Sequence, residues 1–181
     1  MAKKSFRIDS LSTENFSFFG IVGPLPDYQM AYRLNKGMGM QFCKSPDLSV
    51  YLREQVILCS LYFFTDETLH INYFLLRNEN QNDILIPRLR SVDYFLIIEA
   101  FANHPSPKIF LKRMRSITGI LAVLSIPINE KDHINHILED LECHSLEDPS
   151  SQKRKYYDKK NQNNCNHRSS YKRFKNADRN Y

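Results

Sequence analysis

The feature that most constrains this chain is the run Tyr94-Phe95-Leu96-Ile97-Ile98-Glu99-Ala100-Phe101-Ala102, almost wholly apolar with a single charge. Crossing a bilayer as a helix takes roughly 20 apolar residues, so the run is too short for that. It also lacks the polar positions that an amphipathic helix shows every three or four residues. A segment this dense and this short fits a strand at the centre of a sheet.

The flanking sequence supplies the rest of that sheet. Phe16 to Val22 is short and aromatic-rich and stops at Gly23-Pro24-Leu25-Pro26, as a strand does. Asp27 then reads as a helix N-cap, with Tyr28, Ala31, Tyr32 and Asn35 at helical spacing and Gly37 and Gly39 closing the segment. Leu48 to Leu52, Val56 to Thr65 and Leu69 to Arg77 return to strand character, the last two joined by a polar Asp66-Glu67 turn. Asn78 to Asp83 has no apolar residue and reads as a surface loop, and Pro87 interrupts the short run Ile84 to Leu89. After His104-Pro105-Ser106-Pro107, the residues Leu111, Met114 and Ile117 mark a helix, Ile120 to Ile126 a last strand, and Glu130 to Cys143 a terminal helix striped with Ile134, Ile137, Leu138 and Leu141.

Strands and helices therefore do not alternate strictly, which excludes a doubly wound parallel sheet. The expectation is an α+β fold: a mostly antiparallel sheet with helices on one face. The strand-helix-strand unit from Tyr94 to Ile126 would make it ferredoxin-like, or ACT-like, in part. With 181 residues, 42% of them hydrophobic, one core is expected. The chain divides into an N-terminal extension (1–14), a single domain (15–148) and a tail (149–181). Lys3, Lys4 and Arg7 are followed by no apolar stretch, so no secretory signal or membrane span is expected and the cytoplasm is the expected compartment. Cys43, Cys59, Cys143 and Cys165 show no metal-type or disulfide-type spacing; they read as reduced, with Cys43 and Cys59 as small buried hydrophobes.

Charge is distributed unevenly. Residues 1–150 carry 15 Lys/Arg against 18 Asp/Glu, a net of −3, while residues 151–181 carry 10 against 2, a net of +8. The tail has no aliphatic side chain beyond Ala177, so nothing in it offsets the entropy of ordering and it is expected to be disordered alone. Its cations Lys153, Arg154, Lys155, Lys159, Lys160, Arg168, Lys172, Arg173 and Lys175 suit phosphates, and Tyr156, Tyr157, Tyr171 and Phe174 suit stacking on bases. This combination suits a single-stranded nucleic acid, although a coding bias rich in Lys, Asn and Tyr produces similar tails. On net charge alone, the acidic body would repel phosphate and the tail would carry all the binding.

Two further constellations stand out. His133, His136, Asp140, Cys143, His144 and Glu147 share a face of the terminal helix and could in principle offer metal ligands, but no HExxH pattern or second cluster completes them, and neither metal nor cofactor is expected. Five glycines form no phosphate-binding loop, and no serine or cysteine sits in a nucleophile elbow, so no enzymatic reaction is assigned.

The segment Ile86-Pro87-Arg88-Leu89-Arg90-Ser91-Val92-Asp93-Tyr94, with the apolar strand behind it, resembles the signature of the bacterial IPExxxVDY family. Phe18-Phe19-Gly20-Ile21-Val22, Asp27-Tyr28, Leu34-Asn35 and Phe74-Leu75-Leu76-Arg77-Asn78 extend the resemblance over roughly residues 15–128. It implies no particular reaction. Arg88 stands where the family has Glu, so no carboxylate role carries over there. It directs attention to Pro87, Asp93 and Tyr94 as ligand- or partner-binding residues, against the alternative that Asp93 merely fixes the loop before the strand. The expected function is a non-enzymatic binding or adaptor module whose partner is RNA or an RNA-bound assembly. The alternatives are a small-molecule-sensing domain and an enzyme using the signature loop. A pocket of convergent polar groups beside Asp93 would favour the alternatives.

Overall fold

The structure, a computed structural model, describes residues 15–52, 55–80, 83–100, 107–128 and 133–147. The N-terminal extension and the basic tail lie outside the described residues. In chain order the elements are β1 (Phe16–Val22), α1 (Asp27–Met38), β2 (Cys43–Lys44), β3 (Leu48–Leu52), β4 (Gln55–Cys59), β5 (Leu61–Asp66), β6 (Ile71–Arg77), β7 (Glu79–Asn80), β8 (Asp83–Ile84), β9 (Tyr94–Ala100), α2 (Pro107–Arg115), β10 (Ala122–Ile126) and α3 (Ile134–Glu147). The fold is α+β, built on a six-stranded sheet of order β10-β1-β9-β6-β5-β2 whose neighbours are all antiparallel.

The apolar run is central, as its composition requires: β9 pairs with β1 and β6, with Ile97 opposite both Phe18 and Phe74. Since β1 lies between β9 and β10 and opposes both, β9 and β10 run parallel, the split crossover of ferredoxin-like folds. Alternation assigns the strand side chains to two faces. Tyr94, Leu96, Ile98 and Ala100 of β9 join Phe19, Ile21, Tyr73 and Leu75 under Met30, Ala31 and Leu34 of α1 and Phe110 and Met114 of α2. Phe95 and Ile97 face the other way, with Phe16, Phe18, Phe74 and Leu76, against the β3–β4 hairpin and Ile134, Ile137, Leu138 and Leu141 of α3. Each such fully buried side chain contributes about 1.5–3 kcal/mol relative to exposure. Two helices thus cover one face, and the third lies on the opposite face beside the hairpin.

Several local expectations shift. The run Val56 to Thr65 is two strands that meet at Ser60: Ile57, Cys59 and Leu61 keep the alternation in one cluster, and Tyr62 is buried in the other. β4 leaves the sheet to pair with β3, and β5 enters it. The helix cap before α1 is Pro26 rather than Asp27, because the proline carbonyl already accepts from Met30 N at 2.9 Å. Asp27 is the first helical residue, its carboxylate accepting from Tyr28 N at 2.7 Å and Ser60 Oγ at 2.6 Å. Gly39 takes the left-handed conformation, φ 74°, that ends α1. Cys43 is exposed on the two-residue edge strand β2, while Cys59 is buried as expected.

The chain falls into two units, residues 1–141 and 142–181. Of the second, only the end of α3 up to Glu147 is described.

Candidate functional site

The chain leaves β1 through Gly23-Pro24-Leu25-Pro26, a segment with two backbone N–H groups because proline has none. Leu25 N donates to Gly23 O at 2.7 Å, a tight turn. Gly23 N donates to Asp93 Oδ2 at 2.7 Å. Gly23 is required for close approach: a Cβ there would come within 2.6 Å of the Gly119 carbonyl oxygen. Asp93 N donates in turn to Ile21 O at 3.0 Å, so this residue holds β1 through backbone and side chain alike.

Tyr94 follows at the start of β9 with its ring buried under α1, and its hydroxyl donates to the Leu25 carbonyl. Burial pushes the phenol up to about 12, opposed by the nearby Arg77 cation and reinforced by Asp27, Asp93 and Tyr62. Tyr94 is therefore a fixed hydrogen-bond donor at neutral pH and not a base.

The loop before Asp93 is organised by a residue that the polar composition of its segment disguised. Asn78, expected on a surface loop, is buried with 1% of its surface exposed. Its Nδ2 donates to Leu89 O at 3.0 Å and Val92 O at 2.7 Å, and its Oδ1 accepts from Ile86 N at 3.0 Å. Its backbone completes the set: Asn78 N donates to Asp93 O at 2.9 Å and Asn78 O accepts from Leu85 N at 2.8 Å. An amide side chain supplies two donors and an acceptor at one point, which no other side chain of this size does. On either side of residues 81–82, Glu79–Asn80 and Asp83–Ile84 pair as the two-residue strands β7 and β8.

Pro87 lies apart from Asp93 and Tyr94 in role. It is exposed and begins a 3-10 turn, Pro87–Leu89, where its missing N–H and fixed φ cost nothing. Asp93 and Tyr94 border a cleft of about 350 Å³ that is also lined by Pro24, Leu25, Pro26, Arg77 and Glu79. Neither Arg77 nor Glu79 was a candidate site residue in the sequence; the end of β6 and the start of β7 bring them here. They take no part in the Lys44–Asp47 ion pair or in the His136–Glu139 contact.

Compared with models of known protein families and with curated proteins, the chain matches none.

The terminal-helix constellation does not converge. α3 begins at Ile134, and His133 precedes it with a positive φ of 57°. The His133 and His136 rings stack at 5.9 Å, and His136 Nδ1 lies 3.4 Å from Glu139 Oε2. Asp140 turns to β3, where its Oδ2 accepts from Tyr51 N at 2.9 Å. Among the described residues no three His, Cys, Asp or Glu side chains could hold a metal ion together. The buried Cys59 thiol is pushed up to about 12 by desolvation and by Asp47, which leaves it inert as a nucleophile. No helix among the described residues is long and apolar enough to cross a membrane. The nucleic-acid-binding candidates, Lys153 to Lys175, fall outside the described residues.

Proposed function

We propose that this chain is a non-enzymatic binding module for single-stranded RNA or an RNA-bound assembly, with its basic aromatic tail as a principal contact. What carries the reading is the segregation of charge, +8 on residues 151–181 against −3 on the remainder, in company with four aromatic side chains able to stack on bases. The signature residues support a non-catalytic reading. Asp93 holds the Gly23 amide, Tyr94 holds the Leu25 carbonyl, and Asn78 holds the loop, so their polar atoms are used in building the domain. Kinship with the IPExxxVDY family belongs to the same proposal: the residues that carry the resemblance are those that join β1, the loop and β9.

Purification of the intact protein from cells after ultraviolet crosslinking, with sequencing of attached RNA, tests the reading. Enrichment of RNA over a tail-deleted control is expected. Equal recovery from both would remove the tail from the account.

A second reading, small-molecule sensing, is favoured by one observation: the cleft beside Asp93 places the Arg77 cation near the carboxylates of Glu79 and Asp93. A small ligand with both charges would suit it. A thermal upshift with such a compound, lost in Arg77→Ala, would support this alternative.

A further inference from the structure

The net charge of −3 on the body conceals a strong asymmetry between its faces. α1 and α2 lie together on one side of the sheet, and Arg113 Nε of α2 donates to Gly37 O of α1 at 3.2 Å. Between them these helices carry six cations, Arg33, Lys36, Lys108, Lys112, Arg113 and Arg115, against one carboxylate, Asp27, a net of +5. That carboxylate is occupied by Ser60 Oγ and Tyr28 N. The stretch Ile134 to Leu141 of α3, which packs on the other face, carries Glu139 and Asp140 and no Lys or Arg. The expectation that the acidic body repels phosphate rests on a sum over the sequence, which averages regions of opposite charge.

Helical spacing orders the outer side of this basic layer. Met30, Ala31 and Leu34 face the sheet, which leaves Tyr28, Tyr32 and Lys36 at i, i+4 and i+8 in one outward stripe. The two tyrosines are 61% and 60% exposed. On α2, Lys108 and Lys112 stand one turn apart opposite the buried Phe110 and Met114. Arg115 is committed, its Nε and Nη2 donating to Val123 O at 3.3 and 2.7 Å. Lys36, Lys108 and Lys112 make no hydrogen bond or ion pair among the described residues and remain available to a partner.

We propose that the outward face of α1 and α2 is a docking surface for single-stranded RNA, with Lys36, Lys108 and Lys112 neutralising phosphates and Tyr28 and Tyr32 stacking on bases. The choice of polynucleotide rests on the reading above, whereas the place of contact is new and lies in the folded domain. Rigid aromatic rings interleaved with free ammonium groups are what a single strand uses, because every base has a face to stack and every nucleotide a phosphate. An anionic lipid surface fits less well: the two helices offer it one exposed aliphatic side chain, Ile109. An acidic protein partner would use the cations and leave the tyrosines without a role.

The test measures fluorescence anisotropy of a labelled oligouridine with the full chain across a salt series. Lys36→Glu with Lys112→Glu should weaken binding and make the log-log salt slope shallower by about 1.4, at roughly 0.7 per lost phosphate contact. Tyr28→Ala with Tyr32→Ala should weaken binding about tenfold or more with an unchanged slope, since stacking releases no counterions. All four side chains are exposed, and an unchanged thermal midpoint verifies folding. A third variant, with Lys153, Arg154, Lys155, Lys159 and Lys160 changed to Ser, separates the two contacts. Loss of binding in the tail variant alone would overturn the helical surface and leave the tail reading standing. No binding by the wild-type chain would overturn both. Co-sedimentation with phosphatidylserine vesicles in the absence of oligouridine binding would overturn the proposal in favour of a membrane surface.

Discussion

Gly23 and Asp93 stand 70 residues apart in the chain and meet through a 2.7 Å hydrogen bond from the glycine amide to the aspartate carboxylate. With Asp93 N on Ile21 O, that bond fixes where β1 ends and β9 begins. Asp93→Ala leaves the Gly23 amide without its acceptor, at a cost of about 1–3 kcal/mol. At roughly 4 °C per kcal/mol for a domain of this size, the thermal midpoint should fall by about 4–12 °C. Asp93→Asn keeps an acceptor and should recover most of the loss. Equal losses in both variants would mean that the charge, and not the hydrogen bond, is what the site uses.

Asn78 is the more costly position. Asn78→Ala strands two carbonyls and an amide in the interior, and about 3 kcal/mol or more of unfolding free energy should disappear. Asn78→Asp should be worse, because a carboxylate would face the Leu89 and Val92 carbonyls that now accept hydrogen bonds. Urea denaturation of both variants measures the difference, and an Asp variant as stable as wild type would contradict the hub.

Alkaline pH should expose Tyr94 and Cys59. In the folded state their groups are raised from 10.0 and 9.0, respectively, to about 12, chiefly by burial. The folded protein therefore holds protons that the unfolded chain releases, so this stability is complete below about pH 9 and is lost as pH rises toward 12. Denaturation midpoints should be level up to the start of that window and fall through it. Tyr94→Phe should lower stability at neutral pH, by leaving Leu25 O unpaired, yet flatten the decline above pH 10. An unchanged alkaline slope in that variant would assign the decline to other groups.

Asp140 gives the opposite lesson about a carboxylate. Its burial raises it above the usual range despite the hydrogen bond from Tyr51 N, so its charge is a burden at neutral pH. Asp140→Asn preserves the acceptor and should leave the thermal midpoint level or slightly higher at pH 7, the difference vanishing on acidification. A clear drop would show that the charge itself is needed.

Periodicity exposed the parts of this fold that are governed by burial. Tyr94 to Ala100 could only be a central strand, and the split crossover through α2 followed from the order of elements around it. What escaped depended on which face an element takes. α3 has an apolar stripe that specifies packing but not the side of the sheet, and the continuous strand-like run Val56 to Thr65 does not say that β4 pairs with β3 while β5 pairs with β6. Asn78 was hidden because a polar residue in a polar stretch has the same composition whether it is solvated or serves as a buried junction. Asp93 and Tyr94 were legible as a pair, but Arg77 and Glu79 reach the same cleft only through the return of β6. The basic helical face was invisible to net charge, since the carboxylates that cancel it are placed elsewhere.

The salt dependence of oligouridine binding by the intact chain tests the central claim most directly. A tail engaging about five phosphates predicts a log-log slope near −3.5, steepened by roughly 0.7 for each helical lysine that also makes contact. A slope in that range, with affinity lost when residues 150–181 are deleted and Lys36 and Lys112 are reversed together, is the expected result. Undetectable binding at low salt, or binding that does not respond to salt, would contradict the account and turn attention to the cleft beside Asp93.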